Sequence, residues 1–179
     1  MARPTRRIVT GHDAEGRSII LQDGAAPSIF EPKARPGEAI TELWRSFAAP
    51  ASNRGHDDPA AAPPASPQLM PPKHGTVFRI VDFPPDAQVK NADAAKLFAE
   101  FGASGAHAKD GRHAMMHKTA TVDYIIVIKG EIWAIMDKGE TLLKPGDVLV
   151  QRGTNHSWSV RGDEPCIIAA VLVSAEPVK

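Results

Sequence analysis

Residues 111–158 read GRHAMMHKTATVDYIIVIKGEIWAIMDKGETLLKPGDVLVQRGTNHSW. Short apolar and β-branched runs alternate here with turn signals. Lys129-Gly130, Asp137-Lys138-Gly139 and Lys144-Pro145-Gly146 each place a glycine where a tight turn needs one. The predicted strands are 115–118, 121–128, 131–136, 141–143 and 147–151. Two more, 155–160 and 166–173, follow on either side of the turn RGDEP. Many short strands with turns at this spacing describe an all-β sandwich or barrel, not a parallel α/β sheet.

The same stretch carries the polar residues that are hardest to place. Side chains two apart on a strand share a face. A regular strand therefore puts His117, Thr119, Thr121 and Asp123 on one face, and Tyr124, Ile126 and Ile128 on the other. Burying an imidazole, two hydroxyls and a carboxylate is costly without partners. Water, a metal, a ligand or one another must satisfy them. His156, after the turn RGTN, is a further contributor from a neighbouring strand. His113 is expected at the rim of the barrel, with a spare-ligand, substrate-binding or proton-shuttle role as the alternative. Arg152, near the mouth, is either solvated or a clamp for a substrate carboxylate. Trp158 shares a face with His156 and suits a pocket wall or core packing. Tyr124 is expected to pack between sheets, and Trp133 and Met136 to lie in the core or the wall. Cys166, at the head of the apolar run CIIAAVLV, reads as an inert core thiol. His12, His56 and His74 have no partner pattern.

Outward from this core, TVFRIVDF at 76–83 is a strand in which Val77, Arg79 and Val81 alternate with Phe78, Ile80 and Asp82; Pro84-Pro85 ends it. A helix is predicted over 92–101. Asn91 is its N-cap, Gly102 follows its C-terminus, and Ala94, Leu97, Phe98 and Phe101 form one apolar face. It is expected to pack on the outside of the sheet, with a lid near a pocket as the alternative. Runs at 7–11 and 18–21 suggest an N-terminal hairpin, and 42–47 another strand with Trp44 as its buried anchor. Residues 48–75 are rich in Pro and Ala and lack periodicity, so they read as a long loop or an arm that orders against the barrel or a second subunit. Residues 1–75 are thus strands and an arm packed on a barrel of residues 76–179, the whole forming one structural domain.

The chain has 179 residues, enough for a sizeable core, and 21 basic residues balance 21 acidic ones. Nucleic-acid binding is therefore not expected. No apolar run approaches the ~18 residues of a membrane helix, and no apolar segment follows the basic start MARPTRRIVTGHD, so neither a membrane span nor a signal peptide is expected. One cysteine excludes an intramolecular disulfide, and a reducing cytoplasm is the expected location.

Gly111, His117, Thr119, Asp123 and Gly130 are spaced as G-x5-H-x-T-x3-D-x6-G. This resembles the first motif of the cupins, G-x5-H-x-H-x3or4-E-x6-G. The run from Gly146 to His156 is similar to the second cupin motif. The resemblance implies an antiparallel jelly-roll β-barrel with a divalent metal (Fe, Mn, Ni or Zn) at its centre, held here by His117, Asp123 and His156. Thr119 stands where the family has its second histidine, Asp123 where it has glutamate, Arg152 where it has proline and Val160 where it has asparagine. Two imidazoles and a carboxylate make the ligand class of non-haem iron sites, and three ligands with an open position also suit zinc. Asp123, Thr119 and Thr121 are the candidate catalytic residues, the two threonines orienting water or substrate. Arg152, Trp158 and His113 are the candidate substrate contacts. The reading adopted is a metal-dependent enzyme acting on a small carbonyl or aromatic compound by dioxygenase, lyase or isomerase chemistry. Its alternative is a metal-free small-molecule-binding or structural barrel without turnover. The arm and the sheet edges suggest a homodimer.

Overall fold

Strict alternation of burial along 121–127 shows how the chain organises itself: Thr121, Asp123, Ile125 and Val127 are buried, while Tyr124 and Ile126 face out. The structure is a computed structural model and describes residues 4–61, 68–89, 93–108 and 111–177. Its strands are β1 (Arg6–His12), β2 (Ser18–Ala25), β3 (Ser28–Phe30), β4 (Ala39–Ser46), β5 (Thr76–Phe83), β6 (Thr121–Lys129), β7 (Ile132–Met136), β8 (Glu140–Leu143), β9 (Val148–Arg152), β10 (His156–Ser159) and β11 (Cys166–Ser174). Helix α1 spans Ala94–Glu100.

All strand pairings are antiparallel, as the jelly-roll expectation requires. One sheet has six strands in the order β3-β4-β5-β11-β6-β9, and a second has three in the order β10-β7-β8; β1 and β2 form a separate hairpin. The core lies between the two larger sheets. Ile40, Val81, Ile168 and Val127 are cross-strand neighbours on the inner face of the larger sheet, and Ile132, Ala134, Leu143 and Trp158 come from the smaller one. β3 and β4 belong to the larger sheet, so residues before position 76 help to build the barrel itself.

Several boundaries differ from the sequence reading. β3 is too short to show a period. Met115–Lys118 is not a strand; His117 there makes only isolated bridges, to His107 and His156. Trp44 is not a buried anchor but 37% exposed, because a register shift between Glu42 and Trp44 moves it to the outer face opposite Phe78. Tyr124 does not pack between sheets; it is 46% exposed on the outer face. The helix starts at Ala94, and Asp93 caps it by accepting from the backbone N–H of Lys96 at 3.1 Å. The expected cap Asn91 lies outside the described residues. Gly102 follows the helix with φ +61°, as a helix terminator should. In the arm, the described parts 48–61 and 68–75 hold no strand or helix, but Ala60 is fully buried and Asp58 pairs with Arg7 of the hairpin. Among the described residues no helix is long and apolar enough to cross a membrane.

Candidate functional site

His117 and His156 donate backbone N–H groups to each other's carbonyls, at 2.8 and 2.9 Å. This reciprocal pair sets their rings side by side, with centroids 4.2 Å apart. Each ring is then turned in the same way. Nδ1 of His117 lies 2.9 Å from the carbonyl of Met115, and Nδ1 of His156 lies 2.9 Å from that of Thr154. A carbonyl can only accept, so both Nδ1 atoms carry the proton and both Nε2 atoms present a lone pair. Burial, followed by the neighbouring His156, pushes His117 down to about 3. Burial also lowers His156. Both rings are therefore neutral at pH 7, the form that binds metals.

Asp123 enters the same cavity from β6. It is 5% exposed, and its Oδ1 has no hydrogen-bond partner. Burial pushes this carboxyl up to about 6, against the opposing pull of the Thr121 hydroxyl and the Arg79 charge. Thr119 and Thr121 are buried, with hydroxyls 2.7 Å apart, and neither lines the cavity. The local reason is that the regular strand begins only at Thr121, so the four residues do not share one strand face.

The cavity encloses about 110 Å³, smaller than the ~300–1,000 Å³ usual for drug-sized ligands. Its wall is mostly apolar, with Phe83, Phe98, Met115 and Trp158 prominent. Trp158 stands edge-on to His156 at 5.6 Å and also packs on Phe83. Leu97, Phe98 and Phe101 of α1 and its C-terminal cap line the cavity, so the helix is a cover over it rather than packing on the outside of the sheet.

Arg152 does not clamp this cavity. It is exposed, and its partner Val122 shares the outer face with it. The guanidinium groups in the wall belong instead to Arg35 and Arg79. Arg79 pairs with buried Glu42 at 2.8 Å, and Arg35 with buried Glu38 at 3.1 Å. Burial pushes Glu38 up to about 7, with Arg35 opposing. Sequence reasoning missed Arg35 and Glu38, which sit in a loop before β4 without any period. Arg79 had a signal: an arginine in phase with Val77 and Val81. His113 is half-buried outside the cavity wall and accepts from Ser157 Oγ at 2.6 Å.

A metal in this site is tested by the donors themselves. Two neutral imidazoles with free Nε2 lone pairs, and one buried carboxylate oxygen without a partner, are the right chemistry for a divalent transition ion. Among the described residues, however, no group of three or more His, Cys, Asp or Glu side chains is gathered in a metal-holding arrangement. The imidazoles are adjacent; Asp123 shares their cavity without joining them.

No protein-family model matches the chain. It is 30% identical over 156 residues to the cupin-domain-containing oxidoreductase fogC of Aspergillus ruber, spanning 85% of this chain and 62% of that protein. It is 31% identical over 172 residues to phomopsin biosynthesis cluster protein D of Diaporthe leptostromiformis, spanning 89% of this chain and 72% of that one. With the cupin-domain-containing oxidoreductase virC of Hypocrea virens it shares 28% identity over 196 residues, 98% and 79% of the two chains. Among solved structures, a putative ethanolamine utilization protein Q of Salmonella typhimurium aligns with TM-score 0.46 and 9% identity, over 98% of this chain and 100% of that one.

Proposed function

From the premise that this chain belongs to the cupin superfamily, we propose that it is a cupin enzyme of the oxidoreductase type, acting on a small organic molecule in the cavity under α1. One observation carries this reading: two neutral imidazoles, each held by a carbonyl at Nδ1, present Nε2 lone pairs side by side at that cavity. His117 and His156 would hold a divalent metal, with Asp123 as the third donor. The metal would supply Lewis-acid polarisation of a substrate oxygen or activation of O₂. The Met115 and Thr154 carbonyls fix the tautomer of the two rings. Phe83, Phe98 and Trp158 exclude bulk water and favour an aromatic or other apolar substrate. Without a metal, Asp123, raised toward neutrality by burial, would instead hold or release a proton at the substrate. The oxidoreductase class is supported by the names of the relatives fogC and virC.

The test is metal titration of chelator-treated protein by calorimetry, with Fe(II), Mn(II), Ni(II) and Zn(II) in turn. About one equivalent should bind, and His117→Ala and His156→Ala should each weaken binding by at least ~10-fold. A wild-type protein that binds none of the four, or variants that bind as well as wild type, would sink the metal centre. A second reading, a metal-free cavity that binds a small ligand, is favoured because no group of three or more His, Cys, Asp or Glu side chains among the described residues is gathered to hold a metal. It requires that chelation leave ligand binding intact.

A further inference from the structure

We propose that the turn from Arg35 to Glu38 is a carboxylate subsite in the wall of the cavity under α1. The molecule bound there is then a small monocarboxylic acid with an apolar body. This deepens the reading of the cavity as the substrate site and rests on it.

The turn holds two polar side chains in that wall. Pro36 and Gly37 occupy its central positions, Gly37 with φ +91°, and the Glu38 N–H donates to the Arg35 carbonyl at 3.2 Å. Helix α1 fixes the segment from the other side. The Glu100 carboxylate accepts from the backbone N–H groups of Lys33 and Ala34, at 2.9 and 3.0 Å. The Arg35 guanidinium lies 5.8 Å from the centroid of the Phe83 ring, which shares the wall. The Arg35 and Glu38 side chains are both more than nine-tenths buried, and both line the cavity.

Each keeps bonding capacity that the chain does not use. Arg35 Nε has no acceptor among the described residues. Arg35 Nη1 comes within 3.1 Å of Glu38 Oε2 but off line, so that oxygen makes no hydrogen bond. A buried donor without an acceptor is costly, and a ligand that accepts removes the cost. The other guanidinium in the wall, Arg79, is already engaged by Glu42 and by the Gln68 carbonyl, each at 2.8 Å. Asp86 stands 3.9 Å from Arg35 and accepts from the Ser159 hydroxyl instead.

Charge then selects the ligand. Glu38, pushed up to about 7 by burial, is largely protonated at pH 6, where it becomes a donor and leaves the Arg35 charge unbalanced. A guanidinium N–H and a carboxyl O–H together suit one carboxylate, which only accepts. A dianion such as phosphate would bring more charge than one guanidinium balances. Phe83, Phe98, Phe101 and Trp158 in the remaining wall suit an apolar body.

Calorimetry on the full chain, treated with chelator and held at pH 6, tests this with benzoate as the probe and benzamide as its neutral isostere. Benzoate should bind with Kd below about 1 mM and at least ~10-fold more tightly than benzamide. Arg35→Gln should abolish that preference, so that benzoate binds no more tightly than benzamide. If that variant does not fold, the comparison of the two probes on the wild type decides alone. Equal binding of both probes would overturn the subsite and leave the cavity as a binding site. Binding of neither would overturn the subsite and the cavity reading together. A preference that survives in Arg35→Gln would place the anion elsewhere and reject this turn. The result is independent of whether the metal titration succeeds, since the metal is removed throughout.

Discussion

Burial pushes His117 down to about 3 and Glu38 up to about 7, and the two shifts act on stability with opposite signs. In the unfolded chain His117 gains its proton near its ordinary 6.5. The folded state refuses that proton, so the stability held by the neutral ring is present above 6.5 and is lost as the pH falls toward 3. Glu38 loses its proton near 4.5 when unfolded but near 7 when folded. Its contribution is present below 4.5 and is lost as the pH rises to 7. Each group gives a slope of at most about 1.4 kcal/mol per pH unit. Urea unfolding of metal-free protein should show this. His117→Gln should flatten the loss of stability on the acid side, and Glu38→Gln the loss on the approach to neutrality. An unaltered pH profile in either variant would contradict the corresponding assignment. His117 and Asp123 were legible as chemistry-bearing residues because they are polar in an apolar run. Glu38 was not, since nothing in its local sequence says that the chain folds it beneath Arg35 and into the cavity wall.

Turns and strand phases decide what each element presents. Gly130, between β6 and β7, has φ +74°, and a Cβ there would collide with the Pro165 carbonyl and Cys166 Cα. Gly130→Ala should therefore destabilise by more than the ~1 kcal/mol of a left-handed penalty alone, because backbone must move as well. A fall in denaturation midpoint within experimental error would show that the turn adapts. This glycine and the neighbouring strands were readable from turn chemistry and period. The phase of β4 was not. The register shift before Trp44 breaks its alternation, so Trp44 lands outside and Arg45 inside. Such a bulge depends on the pairing partner, β5, which no local pattern specifies. Helix α1 is capped by Asp93, which accepts from the Lys96 N–H, a capping residue type the sequence also offers at Asn91, outside the described residues.

At the scale of the molecule, one buried ion pair fastens the hairpin to the Pro/Ala-rich arm. Arg7 pairs with Asp58, both side chains under 10% exposed, and Arg7 also donates to the Leu43 carbonyl at 2.9 Å. Removing Arg7 leaves Asp58 without its partner in a half-closed place. Arg7→Ala should loosen the arm while the two main sheets persist. Limited trypsin digestion checks this at the exposed Arg54–Gly55 bond: cleavage there should speed up by about tenfold, with the core fragment still resistant. Unchanged cleavage would mean that other contacts hold the arm.

By itself the sequence determined the all-β class, the turn positions and the cupin resemblance, with its expectation that His117, Asp123 and His156 share one site. Those features rest on spacing along the chain, through strand period, glycine conformation and motif distance. Tertiary structure alone decided that Arg152 points outward, that Arg35, Glu38 and Arg79 line the cavity, that α1 covers it, and that the two imidazoles meet in the cavity Asp123 also lines. The physical reason is that these placements depend on which strands pair and where a bulge shifts their phase. Such choices are made by burial summed over the whole core, not by any short run of residues.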